Sequence, residues 1–335
     1  MKAAVEICAE GVEAAFAASD GEADRVELCE NLAVGGVTPS AGMISETYLG
    51  LDIPVHVLIR PRAGDFVYRP VEIEVMKHDI WFAREFGVAG VVLGLLTADG
   101  RVALGKAGRL IEAARPMSVT FHKAFDATRD PFEALDDLIG LGVDRVLTSG
   151  QAPTAMAGLD MIAELTRRAA GRIAIMAGGS ITLDQIRPIV EAGVKEIHLG
   201  SAACRDGKTD RALVRRIVEL ASMAEIFHIT TMAEWERARA EGVYRADSLA
   251  TEGFIHASTA GQVAGSANRF FSEREGLVVL RIDLDRVRSP IEWAASPHSD
   301  EPFPHVHGPL DVDAVIGVEP LERDGSGSFA WPSEA

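Results

Sequence analysis

Short apolar and β-branched runs recur along the first two-thirds of the chain, and the stretches between them have helical spacing. The runs are VEIC (5–8), RVELC (25–29), VHVLIR (55–60), GVVLG (90–94), VTFH (119–122), RVLT (145–148), IAIM (173–176) and EIHL (196–199). They begin a few tens of residues apart, as repeated strand–helix units do. Between the third and fourth, Ile73, Met76, Ile80 and Ala83 fall on one helical stripe. Thr182 with Gln185 has the pattern of a capping box that opens a helix after the seventh run. The tripeptides FGV, LGV and AGV precede the fourth, sixth and eighth runs, placing a helix-ending glycine before an apolar strand. Strand–helix alternation with near-continuous apolar strands predicts a parallel sheet covered by helices. Eight units favour a closed (β/α)8 TIM barrel over an open sheet.

The pattern changes after a last helix expected over 210–224. Residues 225–335 hold Trp235, Trp293 and Trp331, one clear strand in VVLRI (278–282), and a Pro- and Ser-rich stretch SPIEWAASPHSDEPFPH. Strand–helix alternation is lost. The expected organisation is an α/β barrel over 1–224 followed by a small α+β domain over 225–335. Gly325-Ser326-Gly327-Ser328 reads as a loop or a loose tail.

Composition narrows the chemistry. Of the 335 residues, 47% are hydrophobic and 25% charged, ordinary for a globular protein, and the net charge is -17. That acidity speaks against a nucleic-acid or anionic-membrane partner, because both surfaces repel it. It leaves room for a small anion in a locally basic pocket. Three cysteines in a chain this long are expected to be reduced thiols. The N-terminus meets Glu6 at once, without a signal-peptide pattern, and no run approaches the roughly 18 apolar residues of a membrane span. A cytoplasmic location is the expectation.

Barrels of this kind carry function at the C-terminal ends of their strands, and polar residues gather there. Glu6 and Cys8 end the first run, and Glu27 and Cys29 the second. Arg60, Arg62 and Asp65 follow the third, and His122, Lys123 and Asp126 the fifth. Thr148 and Ser149 end the sixth, and His198 lies in the eighth. Glu27, Arg60, Arg62, Asp65, His122, Lys123 and Asp126 are the candidate catalytic residues. Arg60 and Arg62 suit forked contacts to phosphate or carboxylate. Gly178 and Gly179 after the seventh run, with Gly200 and Ser201 after the eighth, occupy the loops where many barrels hold phosphate on backbone N–H groups. Metal binding is the rival chemistry. Cys8 and Cys29 take similar places on adjacent strands, and two soft thiolates suit Cu(I).

The motifs RVELCENLAVGGVTPS, IRPRAGDFVY, VTFHKAFD, RVLTSG and IMAGGSI, in this order, resemble the CutC family over about residues 1 to 205. The family is linked by name to copper homeostasis. The resemblance implies the barrel, a cytoplasmic location and copper binding, with Cys8 and Cys29 as the ligands. Lys123 stands where the family usually has Arg, and Leu199 near where some members have a further Cys. The segments IFHITTMAEWERA, EGFIHASTAGQVAGSANRFF, LVVLRIDLDRV and FPHVHGPL resemble a small domain-of-unknown-function family distantly related to the ADP-ribosyltransferase fold. That resemblance implies one cleft lined by His228, Thr230, His256 and His305. His307 stands where that family often has Tyr. His228, His256 and His305 join the catalytic candidates, and His305-Val306-His307 resembles a strand-borne metal pair.

Three readings stay open: a copper-binding homeostasis protein, a barrel enzyme for a small anionic or phosphorylated metabolite, and a C-terminal domain with its own nucleotide-related or metal-binding activity. The partners expected are a small anionic molecule or a metal ion, and a second copy of the chain through the barrel.

Overall fold

The computed structural model describes residues 3–222, 225–296 and 299–331. The chain divides into two compact units after Ser222.

The first unit is a closed barrel of eight parallel strands in sequence order. These are β1 (Ala4–Glu10), β2 (Arg25–Cys29), β3 (Val55–Leu58), β4 (Gly90–Leu93), β5 (Ser118–Phe121), β6 (Arg145–Thr148), β7 (Ala174–Gly178) and β8 (Glu196–Leu199). Helices α1 (Val12–Asp20), α2 (Ala41–Gly50), α3 (Pro70–Phe86), α4 (Leu104–Ala114), α5 (Pro131–Gly140), α6 (Leu159–Ala169), α7 (Leu183–Glu191) and α8 (Arg211–Ser222) connect and follow them. Each helix starts where local chemistry allows. α3 opens on Pro70, with the Glu72 carboxylate accepting from the Arg69 N–H at 2.7 Å, and buries the stripe Ile73, Met76, Ile80 and Ala83. It ends at Gly87, whose φ of 87° only glycine adopts without strain. The Thr182/Gln185 capping box opens α7 as expected. Asp210 accepts from the N–H groups of Ala212 and Leu213 and opens α8. Residues 223 and 224 of the predicted helix lie outside the described residues.

Alternation along the strands sends Val5, Ile7 and Ala9 toward the helices and Glu6 and Cys8 into the barrel. The interior is not the usual apolar filling of layered branched residues. Arg25 on β2 crosses it, donating to Glu6 on β1 at 2.5 Å, to Glu196 on β8 at 2.6 Å and to the Met176 sulfur on β7 at 3.3 Å. Arg145 on β6 reaches the same Glu196 at 2.5 Å. Small residues make room for rings: a Cβ on Gly90 would lie 2.6 Å from the His56 ring, and one on Gly94 would run into the His122 ring. β1 runs to Glu10, two residues past the predicted end at Cys8. Glu6 is therefore mid-strand, inside the barrel, rather than at its mouth.

The second unit is built on two three-stranded antiparallel sheets. In one, Leu277–Asp283 lies between Glu225–Thr231 and Val315–Pro320; in the other, Ser299–Val306 lies between Ile255–His256 and Ile291–Ser296. The helix Val263–Phe270 packs on the first through Val263 and Ala267, against Phe227, Ile229, Leu277 and Val279. The Pro- and Ser-rich stretch forms the hairpin of the second sheet, apart from residues 297 and 298, which lie outside the described residues. Gly325–Ser328 is no loose tail. Asp324 and Ser328 close it as a hairpin turn, and Phe329 beyond it is buried. Among the described residues no helix is long and apolar enough to cross a membrane.

Removing one member of a buried ion network strands its partners. Arg25→Met should therefore lower the unfolding free energy by about 3–5 kcal/mol in a denaturant titration. A loss within about 0.5 kcal/mol, typical of surface changes, would show that the network does not hold the barrel.

Candidate metal centre and neighbouring sites

The sequence-predicted residues separate into distinct groups. The first lies on β8, β1 and β2. Register places Glu6 opposite Arg25 on one side and His198 on the other, and Cys8 opposite Glu27. Glu6 is fully buried and contacts His198 Nδ1 at 2.7 Å. The other ring nitrogen, Nε2, lies 3.6 Å from the Glu27 carboxylate. Cys8 Sγ is 3.7 Å from Cys29 Sγ, and Cys29 donates to the Ala9 carbonyl at 3.6 Å. Cys8, Glu27 and His198 each offer a ligand atom within 4.8 Å of the others. Leu58 and Val92 pack against the two cysteines and close the apolar side.

The electrostatics follow from this packing. Burial opposes the Glu6 charge, yet the His198 hydrogen bond and Arg25 hold its carboxyl well below the usual range. Burial pushes the Glu27 carboxyl up, and its neighbour Glu6 adds to that. The Cys29 hydrogen bond, burial and Glu27 hold the Cys8 thiol well above its ordinary value. Burial opposes the charged ring of His198, but Glu27 and Glu6 together raise its pKa.

The second group sits over β3 and β5. Arg60 and His122 share the Phe66 ring, at 5.3 Å and 5.0 Å. The Arg60 guanidinium holds its own loop by donating to the carbonyls of Val34, Gly36 and Gly64. Arg62 is spent on Asp65 and Glu72, at 2.8 and 2.7 Å. The arginine pair thus braces two loops rather than standing open as a fork. His122 accepts from the Ala124 N–H through Nδ1, and its buried Nε2 has no partner among the described residues. Burial, then Arg60, lowers its pKa to about 3.

The third group organises the β6 and β7 loops. Asp126 accepts from the Ser149 and Gln151 N–H groups and from the Thr148 and Ser149 hydroxyls. Lys123 Nζ lies 3.7 Å from Asp126 and over Gly179, where an added Cβ would come within 2.9 Å of it. A Cβ on Gly178 would strike Leu147. Gly200 passes Cys8, and Ser201 beyond it is exposed.

In the second unit His228, His256 and His305 line one cleft of about 800 Å³, together with Glu252, Ser258 and Arg269. Both His228 nitrogens are engaged, Nδ1 with the His256 carbonyl at 2.6 Å and Nε2 with the Tyr244 hydroxyl at 2.8 Å. Thr230 stands behind it, between Tyr244 and Glu234. His256 contacts Glu252 at 3.1 Å, and His305 stacks on Phe254 at 4.0 Å. Among the described residues this unit holds no group of three metal-ligating side chains.

Comparison with known proteins accords with this division. Residues 3–203 match the model of the CutC family, and 229–318 match that of a protein family of unknown function, DUF952. The chain belongs to the CutC family. The human copper homeostasis protein cutC homolog is 46% identical over 203 residues, 60% of this chain and 74% of that protein. A family protein CutC of Parabacteroides distasonis is 49% identical over 200 residues, 59% of this chain and 82% of that protein. A crystal structure of CutC from Streptococcus agalactiae superposes with a TM-score of 0.57 at 36% identity, covering 60% of this chain and 99% of that one.

In this CutC-family chain the sequence pattern points to Cys8, Cys29 and Glu27, whereas His198, Arg25, His56, Arg145 and Glu196 are brought into the same interior only by the fold. A signal was present: Glu6-x-Cys8, Arg25-x-Glu27-x-Cys29 and Glu196-x-His198 put polar residues at period two in strands otherwise apolar.

The buried rings predict acid sensitivity. His56, 3% exposed, has its pKa lowered to about 4 by burial against the opposing pull of Glu6. The unfolded chain takes up its proton near pH 6.5 and the folded one does not, so stability falls with pH from about 6.5 to about 4. His56→Gln should flatten that decline, by up to about 3 kcal/mol, in urea titrations across the window. An unchanged slope would assign the acid lability to other groups.

Proposed function

We propose that the barrel serves copper homeostasis by binding Cu(I) between Cys8 and Cys29. The supporting observation is the 3.7 Å separation of the two free sulfurs. With metal–sulfur bonds of about 2.3 Å, two sulfurs on one ion lie at most about 4.6 Å apart, so capture needs little backbone movement. The donors are soft, and Leu58 and Val92 exclude water on one side, as a soft monovalent ion tolerates. Each metal–sulfur bond displaces a thiol proton, and the Cys8 thiol holds its proton well past neutrality. Affinity should therefore fall as pH falls. The test is Cu(I) transfer from a competing chelator: Cys8→Ser and Cys29→Ser should each lose at least tenfold in affinity, and the wild type should lose affinity from pH 8 to pH 6. Equal binding by wild type and both variants would overturn the assignment.

The cleft of the second unit favours a second reading, binding of a small anionic molecule. Its volume suits such a ligand. Arg269 on its wall has no carboxylate partner among the described residues, in a chain of net charge -17. A thermal-shift screen of anionic metabolites should find compounds that raise the melting temperature of the full chain and lose that effect in Arg269→Ala. Hits indifferent to Arg269 would place the ligand elsewhere.

A further inference from the structure

We propose that the barrel mouth holds a second, distinct metal site, in which Cys8 Sγ, the Glu27 carboxylate and His198 Nε2 bind Zn2+ and Glu6 positions the histidine. It shares Cys8 with the Cu(I) site and stands without it, because it does not use Cys29.

The geometry is close to that of a tetrahedral ion. Bonds of about 2.0–2.3 Å put neighbouring ligand atoms roughly 3.3–3.8 Å apart. His198 Nε2 and Glu27 Oε2 are 3.6 Å apart already, and the whole set lies within 4.8 Å. The three donors come from adjacent strands, so the barrel's own hydrogen bonding fixes their spacing. One sulfur, one nitrogen and one oxygen make a mixed donor set that matches a borderline divalent ion better than Cu(I).

Two further observations point to an ion. The first is the histidine's orientation. Glu6 occupies Nδ1 at 2.7 Å and so turns Nε2 toward Cys8 and Glu27. A buried carboxylate on the remote nitrogen of a ligating imidazole is the usual outer support of a zinc histidine. Here that carboxylate is itself locked by Arg25 at 2.5 Å, and Arg25 in turn by Glu196. The second is Glu27. It is 5% exposed, yet its polar neighbours among the described residues are the His198 ring, at 3.6 Å, and the Cys8 thiol, a weak donor that hydrogen-bonds to it. A buried carboxylate normally collects several stronger donors. A cation supplies what it lacks. Three protein ligands leave a fourth position for water or an oxygen of a bound molecule, as in zinc sites that act as Lewis acids.

The experiment is a Zn2+ titration of the chelator-stripped full chain against a chromogenic competitor, repeated with Co2+ to read the sulfur-to-metal charge-transfer band. Wild type should bind one Zn2+ and show that band. Glu27→Gln and His198→Gln should each lose at least tenfold in Zn2+ affinity, and Cys8→Ser should lose the band. Glu6→Gln should weaken binding about 10–100-fold while keeping the band, and Glu6→Asp should recover part of the loss. Cys29→Ser should keep Zn2+ affinity within about threefold while losing Cu(I). Thermal melts of the near-isosteric Glu27→Gln separate loss of ligand from loss of fold. Wild-type Zn2+ affinity no greater than that of Cys8→Ser would overturn the proposal. So would an equal loss in Cys29→Ser and Glu27→Gln, which would mean a single two-thiol site. Failure of Cu(I) binding with Zn2+ binding intact would overturn the copper assignment alone.

Discussion

Arg25 lies inside the barrel with a carboxylate on either side, Glu6 on β1 and Glu196 on β8, and the rest of the first unit is arranged around that bond. Burying a guanidinium and two carboxylates costs several kcal/mol per ion unless each charge is met. Here each is met more than once. Glu196 also takes Arg145, and Glu6 also takes His198. The network ties β1, β2, β6 and β8 together through the centre of the barrel, where most barrels rely on apolar packing.

That arrangement reaches the mouth through Glu6. Because its carboxylate is fixed from below by Arg25, it can fix His198 above, and His198 then faces Glu27 and Cys8. The ionisation of the group follows from the same chain of contacts. Glu6 stays charged, while Glu27 and Cys8 resist becoming charged beside it. Glu27 resists through burial and its neighbour Glu6, and Cys8 through the Cys29 hydrogen bond, burial and Glu27, because a second negative charge is poorly screened in a low-dielectric interior. The Arg60, Arg62 and Asp126 groups have a different character. Their polar atoms are directed at loop backbone and at each other, which shapes the rim around the deeper site.

The second unit uses its histidines for two purposes. His228 is a buried strut between the His256 carbonyl and Tyr244. Burial lowers its pKa to about 4, so it remains neutral at physiological pH. His256 and His305 face the cleft, where Phe254 sets their ring planes. The same residue type is thus structural at one position and available to a ligand at another, and the difference is depth.

The barrel was legible from the chain because its determinants are local. Eight apolar runs, the Ile73 to Ala83 stripe, the Thr182/Gln185 cap and the glycines before strands four, six and eight each act within a few residues, and each takes the form the pattern predicts. The places of Cys8, Cys29 and Glu27 on the first two strands were legible for the same reason: position on a strand is a local property. Glu6 was misplaced because the apolar run stops at Cys8, whereas the sheet carries β1 on to Glu10. The roles of Arg60 and Arg62 were hidden because the acceptors they found are loop carbonyls and carboxylates placed by folding. The meeting of Arg25 with Glu196, 171 positions away, and of Glu6 with His198, 192 positions away, was decided only by closing the barrel. Closure brings the last strand beside the first, and no local pattern encodes which polar side chains then share the interior.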